Sequence, residues 1–108
     1  MSKTKASRPY KEWLLDHLKD PEEARVYLEV AIEEYEQDHD KTAFLQALRN
    51  VTDAQGGVGE LAKRTDLNRE HLYRVLSARG NPRLDTVGSI LNALGFRLSI
   101  QHVESAAS

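Results

Sequence analysis

One stretch of the chain constrains its fold more than any other: residues 56–82, GGVGELAKRTDLNREHLYRVLSARGNP. It contains two short segments with apolar residues spaced i, i+3 and i+4, a spacing that places them on one face of a helix. These residues are Val58, Leu61 and Ala62 in the first segment and Leu72, Val75 and Leu76 in the second. A polar corner at residues 65–67 separates the segments, so the stretch predicts a helix-turn-helix.

The second helix of this motif has a clear start and a polar outer face. Asn68 is a favourable N-cap, because its side-chain oxygen can accept a hydrogen bond from a free N–H group of the first turn. With the apolar stripe buried, four side chains face outward: Arg69, Glu70, Tyr73 and Arg74. Arginine can bond guanine edges or phosphate oxygens, so the face from Asn68 to Arg74 is the candidate for DNA contact. The alternative is a solvated face with an internal Glu70–Arg74 ion pair.

Four sequence blocks carry a resemblance that covers nearly the whole chain. They are DPEEA at residues 20–24, ALRNV at 47–51, the motif stretch at 56–87, and ALGFRL at 93–98. In order and spacing they resemble the HigA-related family of addiction-module antidotes, whose DNA-binding part is similar to lambda-repressor-type (XRE-like) domains. The resemblance implies an autoregulatory antitoxin that binds double-stranded operator DNA and neutralises a small basic RelE/HigB-like ribonuclease toxin. The alternative is a stand-alone, phage-like transcriptional repressor without a toxin.

Charge is distributed unevenly along the chain, although the formal net charge is only −2. Residues 9–54 carry twelve acidic and five basic side chains, whereas residues 55–97 carry four acidic and seven basic ones. A basic surface attracts phosphate groups, while an acidic surface repels them and suits a cationic protein. We therefore expect the two parts of the chain to meet different partners.

The clearest helix start is Asp20-Pro21-Glu22-Glu23, which combines an N-cap carboxylate, a proline at the first helical position and two acids near the positive end of the helix dipole. The helix should continue to about residue 35, with one apolar and one strongly acidic face. Four outward acids are candidate toxin contacts, given the resemblance: Glu22, Glu29, Glu33 and Glu36. The alternative is a solvated helix face.

Three further helices are predicted outside the motif. A short one begins near Pro9, and the sole tryptophan, Trp13, is expected to anchor it against the rest of the domain. A third helix should run from residue 41 to about 55, capped by Asp40. The last should cover residues 84–94, where apolar residues recur at helical spacing.

Contacts to phosphate are also expected around the motif, because the free N–H groups that open a helix can bind an anion. The candidates are Gly57, Val58, Lys63, Arg79 and Asn81. For the last three, an ordinary surface position is an equal alternative. Arg64 can instead pair with Glu60, four residues earlier.

From residue 96 the hydrophobic period changes. Phe96, Leu98 and Ile100 alternate with polar residues, which predicts a short strand over residues 96–103. A lone strand leaves both backbone edges unpaired. We therefore expect these residues to pair with a second copy, giving a homodimer that spaces two recognition helices for a palindromic operator.

In sum, the sequence predicts an all-α, lambda-repressor-like helix-turn-helix bundle of about six helices with a short C-terminal strand. A single domain of residues 9–103 is expected, made of acidic helices at 9–40, the core at 41–94 and the strand at 96–103, between disordered tails at 1–8 and 104–108. Cysteine is absent, and no histidine pair has zinc-site spacing, so no metal or cofactor is expected. No nucleophile motif, membrane segment or signal peptide is recognisable, which favours a cytoplasmic protein without enzymatic activity.

Overall fold

The computed structural model describes residues 8–103, and within them the chain forms six α-helices. These are α1 (Arg8–His17), α2 (Pro21–Asp38), α3 (Thr42–Ala54), α4 (Gly57–Arg64), α5 (Arg69–Val75) and α6 (Leu84–Ala93). The prediction of an all-α chain of about six helices is confirmed for this part. The tails predicted at residues 1–8 and 104–108 lie outside the described residues, except that Arg8 is the first residue of α1. None of the six helices is long and apolar enough to cross a membrane.

Local side-chain hydrogen bonds determine where two of these helices begin. Asp20 Oδ1 accepts hydrogen bonds from the backbone N–H groups of Glu22 at 2.9 Å and Glu23 at 3.4 Å, so the predicted cap of α2 is confirmed. Asp40 Oδ1 accepts from the N–H group of Thr42 at 3.0 Å, although Lys41 occupies the N-cap position of α3. That hydrogen bond stabilises the ionised carboxyl group and lowers the pKa of Asp40.

Helix α3 lies at the centre of the molecule. It packs against α1, α2 and α4, while α4 in turn packs against α5 and α6. Its inner side chains Leu45, Leu48 and Val51 are almost completely buried. The acidic N-terminal helices and the α4–α6 region therefore belong to one hydrophobic core and are joined through α3.

The expected anchoring role of Trp13 is wrong. Its side chain is 56% exposed, and Leu14 and Leu18 attach α1 and the turn after it to the core instead. The two leucines are four residues apart and share a helix line, whereas Trp13 lies about 100° around the helix from Leu14. Because α1 buries only this narrow line, the tryptophan remains on the outside.

The strand predicted over residues 96–103 is not present in the single chain. Gly95, at a φ of 95°, ends α6, and the N–H group of Phe96 donates to the carbonyl of Leu91 at 2.8 Å. Phe96 packs partly against the core, but Leu98 and Ile100 are 49% and 98% exposed. No second strand lies beside this segment within residues 8–103, so its backbone cannot form a ladder.

The loop between α5 and α6 requires glycine at position 80. A Cβ atom there would lie 2.1 Å from the carbonyl oxygen of Val75, far inside van der Waals contact. We predict that Gly80→Ala lowers the free energy of unfolding by about 1 to 3 kcal/mol or more, because the α5 end must shift to accept the methyl group. Denaturant unfolding monitored by circular dichroism measures the loss.

Gly88→Ala is the matched control, since position 88 lies inside α6 and a Cβ atom there would meet only Leu98 Cδ1 at 3.8 Å. Alanine should stabilise this helix by roughly 0.5 to 1 kcal/mol relative to glycine. Equal effects of the two substitutions would contradict the close backbone approach at Gly80.

Candidate functional site

The corner between α4 and α5 is held by short-range hydrogen bonds. The hydroxyl group of Thr65 donates to the carbonyl of Leu61 at 3.1 Å and accepts from the N–H group of Leu67 at 3.2 Å. Asn68 Oδ1 then accepts from the N–H group of His71 at 2.7 Å, which confirms the predicted N-cap of α5. Leu72 is fully buried, so the inner face of α5 is fixed against the core and its outer face has a defined orientation.

The four side chains predicted to face outward from α5 are exposed: Arg69, Glu70, Tyr73 and Arg74. The proposed Glu70–Arg74 ion pair is not formed in the described structure. Arg74 Nη2 instead lies 3.2 Å from His71 Nδ1. The outer face of α5 therefore keeps its two arginine charges uncompensated by carboxylates within residues 8–103.

Tyr73 is positioned by a residue of α3 that the sequence did not single out. The guanidinium carbon of Arg49 lies 5.1 Å from the centre of the Tyr73 ring, a cation–π arrangement. Arg49 is itself fixed by Asp53, with its Nε atom 3.1 Å from Asp53 Oδ1. The i, i+4 spacing of Arg49 and Asp53 was readable in the sequence, but the contact to Tyr73 depends on how α3 and α5 pack.

An open cleft of about 850 Å³ lies between the start of α4 and the start of α5. Its lining residues are Gly56, Gly59, Glu60, Ala62, Lys63, Asn68, Arg69 and Glu70. Arg69 lies close to the α4 backbone, because a Cβ atom added at Gly59 would be 3.8 Å from Arg69 Nε. The structure thus brings Lys63 of α4 together with Asn68, Arg69 and Glu70 around one cleft.

The remaining phosphate candidates have different surroundings. Gly57 is the first residue of α4, while the side chain of Val58 is 97% buried, so Val58 can offer only its backbone. Arg79 and Asn81 are exposed in the loop after α5 and do not line the cleft. Arg64 Nε lies 3.4 Å from Glu60 Oε2, which matches the surface ion pair considered for it.

The acidic candidates Glu22, Glu29, Glu33 and Glu36 are all exposed on α2, which packs on α3 and does not pack closely on α5. Arg25 lies between the first two, with distances of 2.7 Å from its Nη2 atom to Glu22 and 3.0 Å from its Nη1 atom to Glu29. The hydrogen bond from Arg25 lowers the pKa of Glu22. Glu33 and Glu36 form no ion pair among the residues that the structure describes, so their carboxylates can contact a basic partner without first breaking an ion pair.

The dimerisation candidates border a second, smaller groove of about 250 Å³. Phe96 and Leu98 line it together with Leu28 and Ile32 of α2, whereas Ile100 projects away from it. Within residues 8–103, no cluster of histidine, aspartate and glutamate side chains has the geometry of a metal site.

Comparison with known proteins gives two matches that extend over most of the chain. A family model described as "Probable addiction module antidote protein" matches residues 12–102. An uncharacterized protein of Haemophilus influenzae is 31% identical over 86 residues, which are 80% of this chain and 84% of that protein. No solved structure matches the chain significantly. Both matches are too long to reflect one motif alone.

Proposed function

The chain belongs to the family of probable addiction module antidote proteins, and from this premise we propose that it is the antitoxin of a type II toxin–antitoxin pair. An antidote implies a toxin partner, which we take to be a small basic ribonuclease of the RelE/HigB-like class. The antitoxin also represses transcription of its own operon, in the manner of the HigA-related proteins that it resembles. Both tasks are performed by binding in the cytoplasm, and we ascribe no catalytic step or cofactor to the chain.

The DNA-binding assignment is supported above all by the two exposed arginines of α5. Arg69 and Arg74 project from the outer face of a helix whose inner face is fixed by Leu72, and neither is neutralised by a carboxylate among residues 8–103. An α-helix fits the major groove of B-DNA, where arginine can bond guanine edges. In this proposal α4 and α5 form a lambda-repressor-type helix-turn-helix, with α5 as its recognition helix.

The other residues of this surface have supporting roles in the proposal. Asn68 and Tyr73 extend the contact surface beside the two arginines, and Arg49 holds Tyr73 in place. Glu70 accepts a hydrogen bond from a cytosine amino group or orients an arginine, since it would repel phosphate. Phosphate groups are bound by the backbone N–H groups of Gly57 and Val58, and by Lys63, Arg79 and Asn81.

Toxin binding is assigned to the acidic face of α2, which contains Glu22, Glu29, Glu33 and Glu36. Support comes from its charge and its separation from α5, because a basic partner is attracted to carboxylates that DNA would avoid.

Dimerisation is assigned to residues 96–103, where Leu98 and Ile100 expose apolar side chains on a segment without strand partners in the described chain. Pairing with the same segment of a second copy would bury these apolar side chains and provide the missing strand partner.

We predict that Arg69→Ala with Arg74→Ala weakens binding to the DNA upstream of the gene by at least roughly tenfold and reduces its dependence on salt. Thermal stability should change little, because both side chains are exposed. Fluorescence anisotropy at several salt concentrations measures the affinity. Lys19→Ala with Lys41→Ala removes the same charge from the acidic part and should leave binding nearly unchanged. Equal losses in the two double variants would indicate a nonspecific charge effect.

A homodimer is the second expected result. Sedimentation of the purified chain at micromolar concentration should give the mass of two copies. The variant with both Leu98→Asp and Ile100→Asp should give the mass of one copy, because burying an unpaired charge between the two strands is costly. A wild-type monomer at this concentration would contradict the assignment. Circular dichroism should show the same helix content for both proteins, since both positions are exposed.

Neutralisation is tested in cells with the product of the gene adjacent to this one. Its expression alone should arrest growth, and co-expression of this chain should restore growth, because the antitoxin covers the active surface of the toxin or keeps it from its target. An inactive neighbouring product, combined with tight operator binding by this chain, would instead favour a stand-alone repressor. A vector without this chain is the control.

A further inference from the structure

The α1 and α2 helices expose a row of aromatic and aliphatic side chains that the core does not use. Trp13 is 56% exposed, and Val26 and Val30 are 41% and 50% exposed. Between them, the His17 ring stacks on Trp13 at 4.9 Å, and His17 Nε2 lies 3.0 Å from Glu23 Oε1. We call Trp13, His17, Val26 and Val30 the aromatic–valine stripe.

The stripe is continuous because of its helical spacing. Val26 and Val30 follow Glu23 by three and seven residues, so the two valines share a line along α2 with Glu23 at its edge. The contact between His17 and Glu23 connects this line to the outer face of α1. Trp13 and the two valines therefore lie on neighbouring parts of one exposed surface, with the His17–Glu23 pair between them.

Carboxylates flank the valines on both sides. By helical spacing, Glu22, Glu29 and Glu33 lie along one side of Val26 and Val30, and Glu23 and Glu34 lie along the other. Arg25, which pairs with Glu22 and Glu29, is a basic group close to this row. An apolar centre surrounded by carboxylates suits a partner with an apolar contact and a cationic rim.

This charge pattern argues against a second copy of the chain as the occupant. A two-fold dimer through the stripe would place the same acidic rows against each other, and like charges across an interface are repulsive. A cationic protein instead matches both the apolar centre and the rim. The basic outer face of α5 cannot cover the stripe of the same molecule, because α5 packs on α4 while α1 and α2 pack on α3.

We propose that the aromatic–valine stripe is the docking surface for the toxin, with Trp13 and the two valines as its apolar centre. This inference rests on the proposed antitoxin function and moves the centre of the contact from the α2 carboxylates to Trp13 and the valines. The carboxylates then form the rim, which accelerates association and selects a basic partner.

Trp13 has the properties of an energetic centre of an interface. Its ring is held between Tyr10, at a centroid distance of 5.8 Å, and His17, so little side-chain freedom is lost on binding. Tryptophan buries a large apolar area and is enriched among the residues that dominate binding energy. The valines supply apolar contact beside it.

Binding of the purified product of the adjacent gene, measured by calorimetry, tests the proposal. Trp13→Ala should weaken binding by roughly 30-fold, as expected for a side chain that dominates an interface. Val30→Lys should weaken it at least tenfold, because a new positive charge faces a cationic partner. Operator binding and thermal stability should be unchanged in both variants, since both positions are exposed and remote from α5.

Two controls separate the stripe from general charge effects. Ser89→Lys adds the same charge on α6 and should leave toxin binding unchanged, as should Arg69→Ala with Arg74→Ala.

Trp13 is the only tryptophan, so 5-fluorotryptophan incorporated into this chain gives a single fluorine resonance at the stripe. That resonance should shift when the unlabelled partner is added.

The outcomes distinguish the stripe from the function on which it depends. If the adjacent product binds the wild-type chain but Trp13→Ala and Val30→Lys bind it equally well, the docking surface is elsewhere and the antitoxin role stands. If the adjacent product does not bind the wild-type chain at all, the proposed function fails and the inference fails with it. If Val30→Lys converts a dimer into a monomer, a second copy covers the stripe and the inference is overturned.

Discussion

The structure depends on the burial of α3. Its inner side chains Leu45, Leu48 and Val51 contact water hardly at all, and they hold α1 and α2 on one side and α4 on the other. Burial of each of these side chains contributes roughly 1.5 to 3 kcal/mol to stability. Two regions of opposite charge are thereby held in fixed positions within one small domain.

This arrangement explains how one short chain can serve two partners. The acidic α1–α2 region and α5 do not pack closely on each other: α1 and α2 pack on α3, and α3 reaches α5 through the contact of Arg49 with Tyr73. A cationic protein and a nucleic acid would compete for a shared surface, but here each meets a surface of opposite charge. The antidote role and the proposed repressor role are therefore physically compatible in one molecule.

Features set by local chemistry were predictable from the sequence, whereas features set by packing were not. Asp20 and Asn68 cap helices through hydrogen bonds to residues two or three positions away, so their roles could be read directly. Trp13 was expected inside because tryptophan is apolar, but only the packing of α1 on α3 decides which line of the helix is buried. The contact of Arg49 with Tyr73 depends on neighbours distant in sequence, and residues 96–103 form no strand because alternation alone supplies no neighbouring strand.

The most direct measurement is native mass spectrometry of the chain mixed with the DNA upstream of its gene and the purified product of the adjacent gene. Two separate surfaces predict one species that contains all three components, with two copies of this chain if the proposed dimer forms. Displacement of the DNA by the protein partner, with only binary complexes at any ratio of components, would contradict the separation of the two surfaces.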